Sequence, residues 1–516
     1  MGEVCPAITP AGKTGLYRPR RPEQTVLHRV VRENLETFLA QAREERPDHA
    51  PIPGYVESAF RNYLSCGLFS GGFARARCAS CGFDFLVAYS CKQRTGICPS
   101  CASRRMVECA AHLVDQVLPR IPYRQWVITF PKRVRYFLKR SPPIANAALR
   151  IFLRAVETMV RLRSPDAPPQ SRFGAVAFRH LFGSALNPHV HFHCLVTSGV
   201  YSMAGGGPAV FHEDTDLTPE DVFAVQEKTR RRVLAYLERH GHLDATTVED
   251  MKSWAHGGGF SADASVRVAD WDRRGLERLV RYCARPAFAL KRLEQINDET
   301  LVYHLAKPDP EGRREIVLSP LDFLARLAEF VPHPRKHSLG YAGILAPHAR
   351  WRASVVASAG PDEALLSRLQ DAGTRMGLRG EKDMPAAGAW IFDPHGPPRR
   401  APPEEDPVSK QWKRIMTHCW AMLLSRIYEN FPLQCTRCSN PMRIIAFITR
   451  PAIIERILTH IGESPTPPQV LPARAPPQQD LVFDQTAGLT EDDLDQTRNS
   501  ADDLDQTPES SEESEQ

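Results

Sequence analysis

Residues 187–196 read Asn-Pro-His-Val-His-Phe-His-Cys-Leu-Val, with polar and apolar side chains alternating from His189 onward. Successive side chains of an extended strand point to opposite faces, so His189, His191 and His193 share one face and Val190, Phe192 and Cys194 the other. The apolar face needs a packed core, and the histidine face needs something that imidazoles can share. Neutral imidazoles at i and i+2 can approach one cation together. A divalent metal held there grips a phosphate and polarises its P–O bonds. This strand therefore places phosphate chemistry on a sheet.

The flanking sequence supplies the rest of that sheet. Gln125-Trp126-Val127-Ile128-Thr129-Phe130 is a short apolar strand ended by Pro131, and Phe173-Gly174-Ala175-Val176-Ala177-Phe178 is another. Ile144–Leu162 has helical periodicity. Thr218-Pro219-Glu220-Asp221 carries an N-cap, a first-turn proline and an acid three residues on, which starts a helix running to about His240. A second helical stretch, residues 275–296, contains Tyr282 and should end or kink at Pro286. Residues 302–305 and 315–318 read as a hairpin, followed by a helix over 320–330. Upstream, Val26, Leu27, Val30, Val31, Leu35, Phe38 and Leu39 recur at helical spacing within a helical segment, residues 22–65.

The 13 cysteines are odd in number and clustered, which in a reducing compartment indicates metal sites rather than disulfides. Cys78-x-x-Cys81 and Cys98-x-x-Cys101 are two knuckles that together supply four thiolates for a structural Zn2+. Cys66, Cys91 and Cys109 are additional thiols, any of which could replace a member of a pair. Cys435-x-x-Cys438 is a lone pair that either completes a second site with His418, Cys419 or His460 or stays reduced. Lys92, Arg94, Arg104 and Arg105 surround the knuckles and suit a nucleic-acid surface.

The net charge of +6 conceals an asymmetry: residues 475–516 hold 13 acids against the single base Arg498, leaving +18 on the remainder. A basic body points to a polyanionic partner, and the acidic tail, with Asp-Asp-Leu-Asp-Gln-Thr repeated at 492–497 and 502–507, should be disordered. The first thirty residues lack the apolar segment of a signal peptide, and no stretch reaches the roughly 18 apolar residues of a membrane span. The expectation is a cytoplasmic, nucleoid-associated protein with no membrane partner.

Taken together, the two knuckles followed by Ala-Ser-Arg-Arg-Met, then Gln125–Pro131, Phe182-Gly-Ser-Ala-Leu-Asn187, His191-Phe192-His193, and Arg281-Tyr282 with Arg285-Pro286, resemble the rolling-circle transposases of the insertion sequence 91 family over roughly residues 15–460. The resemblance implies an α+β chain with an N-terminal helical and zinc-knuckle domain. An antiparallel-sheet His-hydrophobic-His nuclease domain with flanking helices should follow, and then the acidic tail. It implies that His191 and His193 bind a catalytic Mg2+ or Mn2+. The third ligand is left among His189, His180 and a distant carboxylate, with His189 on the same strand face as the expected one. From spacing alone Tyr282 is a packing residue on an amphipathic helix, and a phenol is a weak nucleophile unless the phosphate is activated. The resemblance makes it the nucleophile that attacks single-stranded DNA, leaving a 5′-phosphotyrosine and a free 3′-hydroxyl. Some members carry a second tyrosine four residues upstream; here that position is Arg278, which places the chain in a single-tyrosine subgroup. Arg281, Arg285, Lys291 and Arg292 flank Tyr282 and are expected to hold phosphates.

The expected divisions are a helical segment (15–65), a zinc-binding domain (66–115), the nuclease domain (120–330), a family-specific extension (331–383), a Pro-rich linker (384–408), a helix with the second C-x-x-C (409–461) and the tail (462–516). The expected partners are single-stranded DNA at element ends and target DNA, with a homo-oligomer left open. Other readings are a plasmid or phage replication initiator with the same nicking chemistry, a noncatalytic zinc-dependent DNA-binding protein, and a hydrolase that activates water.

Overall fold

The computed structural model describes residues 20–46, 48–91, 96–203, 208–309, 311–359, 435, 437, 438, 440 and 442–474. The linker, residues 409–434 of the expected 409–461 segment with His418 and Cys419, Lys92, Arg94 and the acidic residues beyond 474 lie outside them. Every strand pairing among the described residues is antiparallel, and the fold is α+β.

The histidine strand, Pro188–Thr197, lies at the centre of a six-stranded sheet between Gly174–Phe182 and Tyr123–Thr129. Ser261–Asp263 and Arg267–Val268 both pair with the outer side of Tyr123–Thr129. The opposite edge is Leu339–Gly343, paired with Gly174–Phe178. This strand, beyond the division expected at residue 330, thus belongs to the same sheet as the histidine strand. Gly340 and Gly343 hide this strand from a propensity reading. Gly343 is required where it stands: its φ is 60° and a Cβ would collide with the Phe173 carbonyl.

The alternation in the sequence becomes a two-sided sheet. Trp126, Ile128, Phe130, Val190, Phe192, Cys194 and Val196 are buried against the helices Pro142–Leu162 and Pro219–Arg239. On the other face Tyr123, Val176, Phe178 and Leu195 meet Leu276, Leu279, Val280 and Cys283 of the helix Arg273–Cys283. Full burial of one such apolar side chain contributes about 1.5–3 kcal/mol, so register is strongly fixed: a one-residue slip would exchange the two faces. The helix Pro219–Arg239 opens with the expected capping box between Thr218 and Asp221.

The helix bearing Tyr282 is shorter than the sequence suggested. It ends at Cys283, because the residue before Pro286 is disfavoured in the α region, and the chain continues through a turn at Leu290–Arg292 into the strand Leu293–Gln295. That strand joins the expected hairpin, Leu301–His304 and Glu315–Leu318, in a three-stranded sheet. The N-terminal helical segment is split into Val26–Glu44 and Gly54–Leu64 by a proline-bearing stretch. Their apolar faces share a core with Phe323, Leu324 and Leu327 of the helix Pro320–Glu329.

The C-terminal segment does not stand apart. Met442–Ile448 pairs with Phe73–Cys78, which pairs in turn with Asp84–Ala88. Residues 463–474, expected to begin a disordered tail, run along the first helix. Glu463 pairs with Arg21 at 2.6 Å, Leu471 N–H donates to the Arg32 carbonyl at 3.0 Å, and Arg474 N–H donates to Thr37 Oγ1 at 2.9 Å.

Candidate active centre and zinc sites

The thiols expected to form one site separate into two. Cys98 and Cys101 gather with Cys66 and Cys91, whereas Cys78 and Cys81 gather with Cys435 and Cys438. Sulfur–sulfur distances are 3.4–3.6 Å in the first set (Cys91–Cys101, Cys98–Cys66, Cys66–Cys101) and 3.5 Å in the second (Cys78–Cys438, Cys81–Cys435). Four sulfurs at about 2.3 Å from a tetrahedral ion stand about 3.8 Å apart, and a disulfide measures about 2.05 Å, so both sets fit zinc. The backbone N–H of Cys81 draws the Cys78 thiol down to about 6, which favours the ligating thiolate. Cys98 caps the helix Pro99–His112, with its sulfur accepting from Cys101 N–H at 3.5 Å. Cys109 joins neither set; burial raises its thiol to about 11.

A third cluster consists of His180, His191 and His193. His189, expected beside them, lies outside this grouping, which takes in His180 from the neighbouring strand. The reason is geometric. Positions i and i+4 of one strand lie about 13 Å apart, whereas directly opposed residues of neighbouring strands lie about 5 Å apart, and His180 is opposed to His191. His189 turns instead to Arg135, whose Nη1 donates to its Nδ1 at 2.8 Å.

Each imidazole of the cluster is held by a second group. His180 Nε2–H donates to the Cys283 carbonyl at 2.7 Å, leaving its buried Nδ1 without a hydrogen-bond partner and available as a ligand. His191 Nδ1–H donates to the His189 carbonyl at 3.0 Å. Gln125 meets His193 Nδ1 at 2.7 Å; an amide can present either its NH2 or its oxygen there, and the oxygen fixes the tautomer that frees Nε2. The Nε2 atoms of His191 and His193 are 3.1 Å apart, close to the roughly 3 Å between adjacent nitrogens about 2.1 Å from an octahedral ion. Burial holds both rings well below the ordinary 6.5, and the neighbouring rings push His191 lower still, so all are neutral donors. Three neutral imidazoles fit a divalent cation, and nitrogen donors suit Mn2+ better than Mg2+, which favours oxygen.

Tyr282 stands beside this cluster, its ring 5.7 Å from that of His193 and nearly perpendicular to it. The Arg285 guanidinium lies over the phenol at 4.6 Å. Of the other basic residues, Arg281 pairs with Glu277 at 2.6 Å and Arg104 with Glu108 at 2.7 Å. Arg105 is half-buried near Cys109 and Tyr341. Lys291 and Arg292 lie on the turn after Pro286, Lys291 exposed and Arg292 beside the Tyr303 hydroxyl. Sequence reasoning missed Gln125 as the support of His193. Its signal is an isolated amide inside an apolar strand adjacent to the histidines.

Residues 31–130 match the family described as Transposase zinc-binding domain, of the insertion sequence 91 type, and residues 174–353 match the family described as Putative transposase. The two matches, a zinc-binding domain followed by a transposase domain, define a zinc-binding transposase. By these matches the zinc-binding domain is of the insertion sequence 91 type, and the transposase domain that follows it implies binding to DNA. No curated protein and no solved structure matches the chain. Among the described residues no helix is long and apolar enough to cross a membrane.

Proposed function

We propose that the chain is a rolling-circle transposase that cleaves and rejoins single-stranded DNA at element ends through Tyr282. The observation that carries this reading is the placement of the Tyr282 ring 5.7 Å from His193 of a buried three-imidazole cluster. A phosphate that reaches the phenol also reaches the cluster.

In this reading His180, His191 and His193 hold a divalent ion, which when bound polarises the scissile phosphate. Tyr282 Oη attacks phosphorus, forming a P–O bond to tyrosine as the bond to the 3′-oxygen breaks. The phenolic proton is lost and a proton is gained by the departing 3′-oxygen, giving a 5′-phosphotyrosine and a free 3′-hydroxyl. The reverse attack by another 3′-hydroxyl completes strand transfer, with bond energy conserved in the phosphotyrosine. Arg285, over the ring, stabilises negative charge developing on the phenolic oxygen and the phosphate. Gln125 and the Cys283 carbonyl hold two of the imidazoles in orientation.

The test is incubation of the full chain with single-stranded oligonucleotides from the flanks of its own gene and Mn2+ or Mg2+, followed by denaturing electrophoresis. A metal-dependent covalent adduct that disappears in Tyr282→Phe is the expected result. Cleavage that survives in Tyr282→Phe makes water the nucleophile and overturns the reading.

A further inference from the structure

The helix Arg273–Cys283 has a buried arc and an outward arc, and the outward one is not random. Arg273, Leu276, Leu279, Val280 and Cys283 are buried. Arg274, Arg278, Arg281 and Tyr282 fall together on the opposite side at the i, i+3, i+4 spacing of one helical face. Arg274 and Arg278 are exposed, and Arg281 and Tyr282 are half-buried. Just before the helix stands Trp271, 80% exposed, although a large aromatic ring is normally among the most buried side chains of a fold. Trp271 precedes the cap residue Asp272, whose carboxylate accepts from Gly275 N–H at 2.7 Å, and the capped end anchors the backbone beside the ring.

We propose that this face is a track for single-stranded DNA leading to Tyr282, in which Trp271 stacks on an unpaired base and Arg274 and Arg278 hold the phosphates between that base and the tyrosine. The inference rests on the reading of Tyr282 as the nucleophile only for the direction in which the track leads. A stripe of guanidiniums ending in an exposed aromatic ring matches the combination that single strands need, because charge follows the backbone while a π-face accepts any base. Paired bases in a duplex do not offer that face. The nine steps from Arg273 to Tyr282, at about 1.5 Å rise each, span about 14 Å along the helix axis, and Trp271 stands two residues before them, a separation that a few nucleotides can bridge. Two acids meet the stripe: Arg278 meets Asp272 only at 3.9 Å, and the pair of Arg281 with Glu277 is partly exposed and can exchange for phosphate.

The experiment is fluorescence-anisotropy titration of the full chain with a labelled oligodeoxythymidine of about 15 nucleotides, long enough for one such site, across a series of salt concentrations, beside a duplex of equal length. Trp271→Ala should weaken single-strand binding about tenfold with the salt slope unchanged, and leave duplex binding as it was. Arg278→Ala should lower the slope of log K against log salt by about 0.7. Both side chains are exposed, so unchanged thermal melting of the variants verifies the fold. Single-strand affinity unaltered in Trp271→Ala, equal loss on the duplex, or no binding by the parent chain would each overturn the track. The covalent assay separates the two readings. An adduct at Tyr282 with unaltered Trp271→Ala affinity removes the track alone, and Trp271-dependent binding without any adduct removes the nucleophile alone.

Discussion

His180 donates its Nε2–H to the backbone carbonyl of Cys283 at 2.7 Å, so the third imidazole of the cluster is bonded to the residue that follows Tyr282. One hydrogen bond thus ties the cluster to the helix that presents the phenol, and a shift of either element moves the other. The same bond fixes the tautomer that turns His180 Nδ1 towards its neighbours.

The two histidines outside the His191–His193 pair should separate cleanly on substitution. His180→Ala removes a member of the cluster and should weaken Mn2+ binding by at least about 100-fold in calorimetric titration, whereas His189→Ala, which removes the bond to Arg135 and the ring contact with His191 but no member of the cluster, should cost far less. Equal losses would return His189 to the ligand set.

Zinc stoichiometry tests the partition of the cysteines. The full chain should carry two zinc ions by elemental analysis, one for each set of four thiols. Cys66→Ser and Cys435→Ser should each lower zinc occupancy at one site and leave the other filled. A single ion in the parent chain would restore the one-site arrangement.

Gln125→Leu keeps the volume of the side chain but removes the group that orients His193. Adduct formation should slow by about 10–100-fold, with the fold and the zinc content intact. Gln125→Glu, which retains an acceptor, should recover part of the rate. A Gln125→Leu variant with full activity would leave His193 oriented by its packing alone.

His28 supplies a dependence on pH away from the site. It is buried between the first two helices and donates Nε2–H to the Leu64 carbonyl at 3.1 Å, and burial holds it below its ordinary 6.5. A lowered base favours the neutral form in the fold, so this contribution to stability is complete above the unfolded value of about 6.5 and is lost as pH falls below it. His28→Gln, which can still donate to Leu64, should flatten that part of the decline in melting temperature between pH 7.5 and 5. An identical decline in the variant would assign the acid sensitivity elsewhere.

Much of the catalytic sheet could be read from local pattern, because period-two alternation and the Thr218 capping box are properties of a few adjacent residues. His191, His193 and Tyr282 are brought together as the motif order suggested. What escaped was set by pairing across the chain. The shared strand face favours His189 in the sequence, and it is the register of two strands that sets His180 opposite His191 instead. Each C-x-x-C pair is visible alone, but its partners are chosen by the sheet that joins residues 73–78 to 442–448. The Leu339–Gly343 strand carries two glycines that obscure its extended character and is defined by the edge it covers.

The thiols of Cys78 and Cys438, 360 positions apart, close one metal site. During synthesis at about 5–20 residues per second, Cys78 waits roughly 20–70 s for its last partner, so the knuckle begun at Cys78 cannot be finished until residue 438 has been made. A copy of the gene cut short by a frameshift or an internal stop would yield a chain with that knuckle open and its edge strand unpaired. Completeness of the message is thereby registered in the metal content of the product.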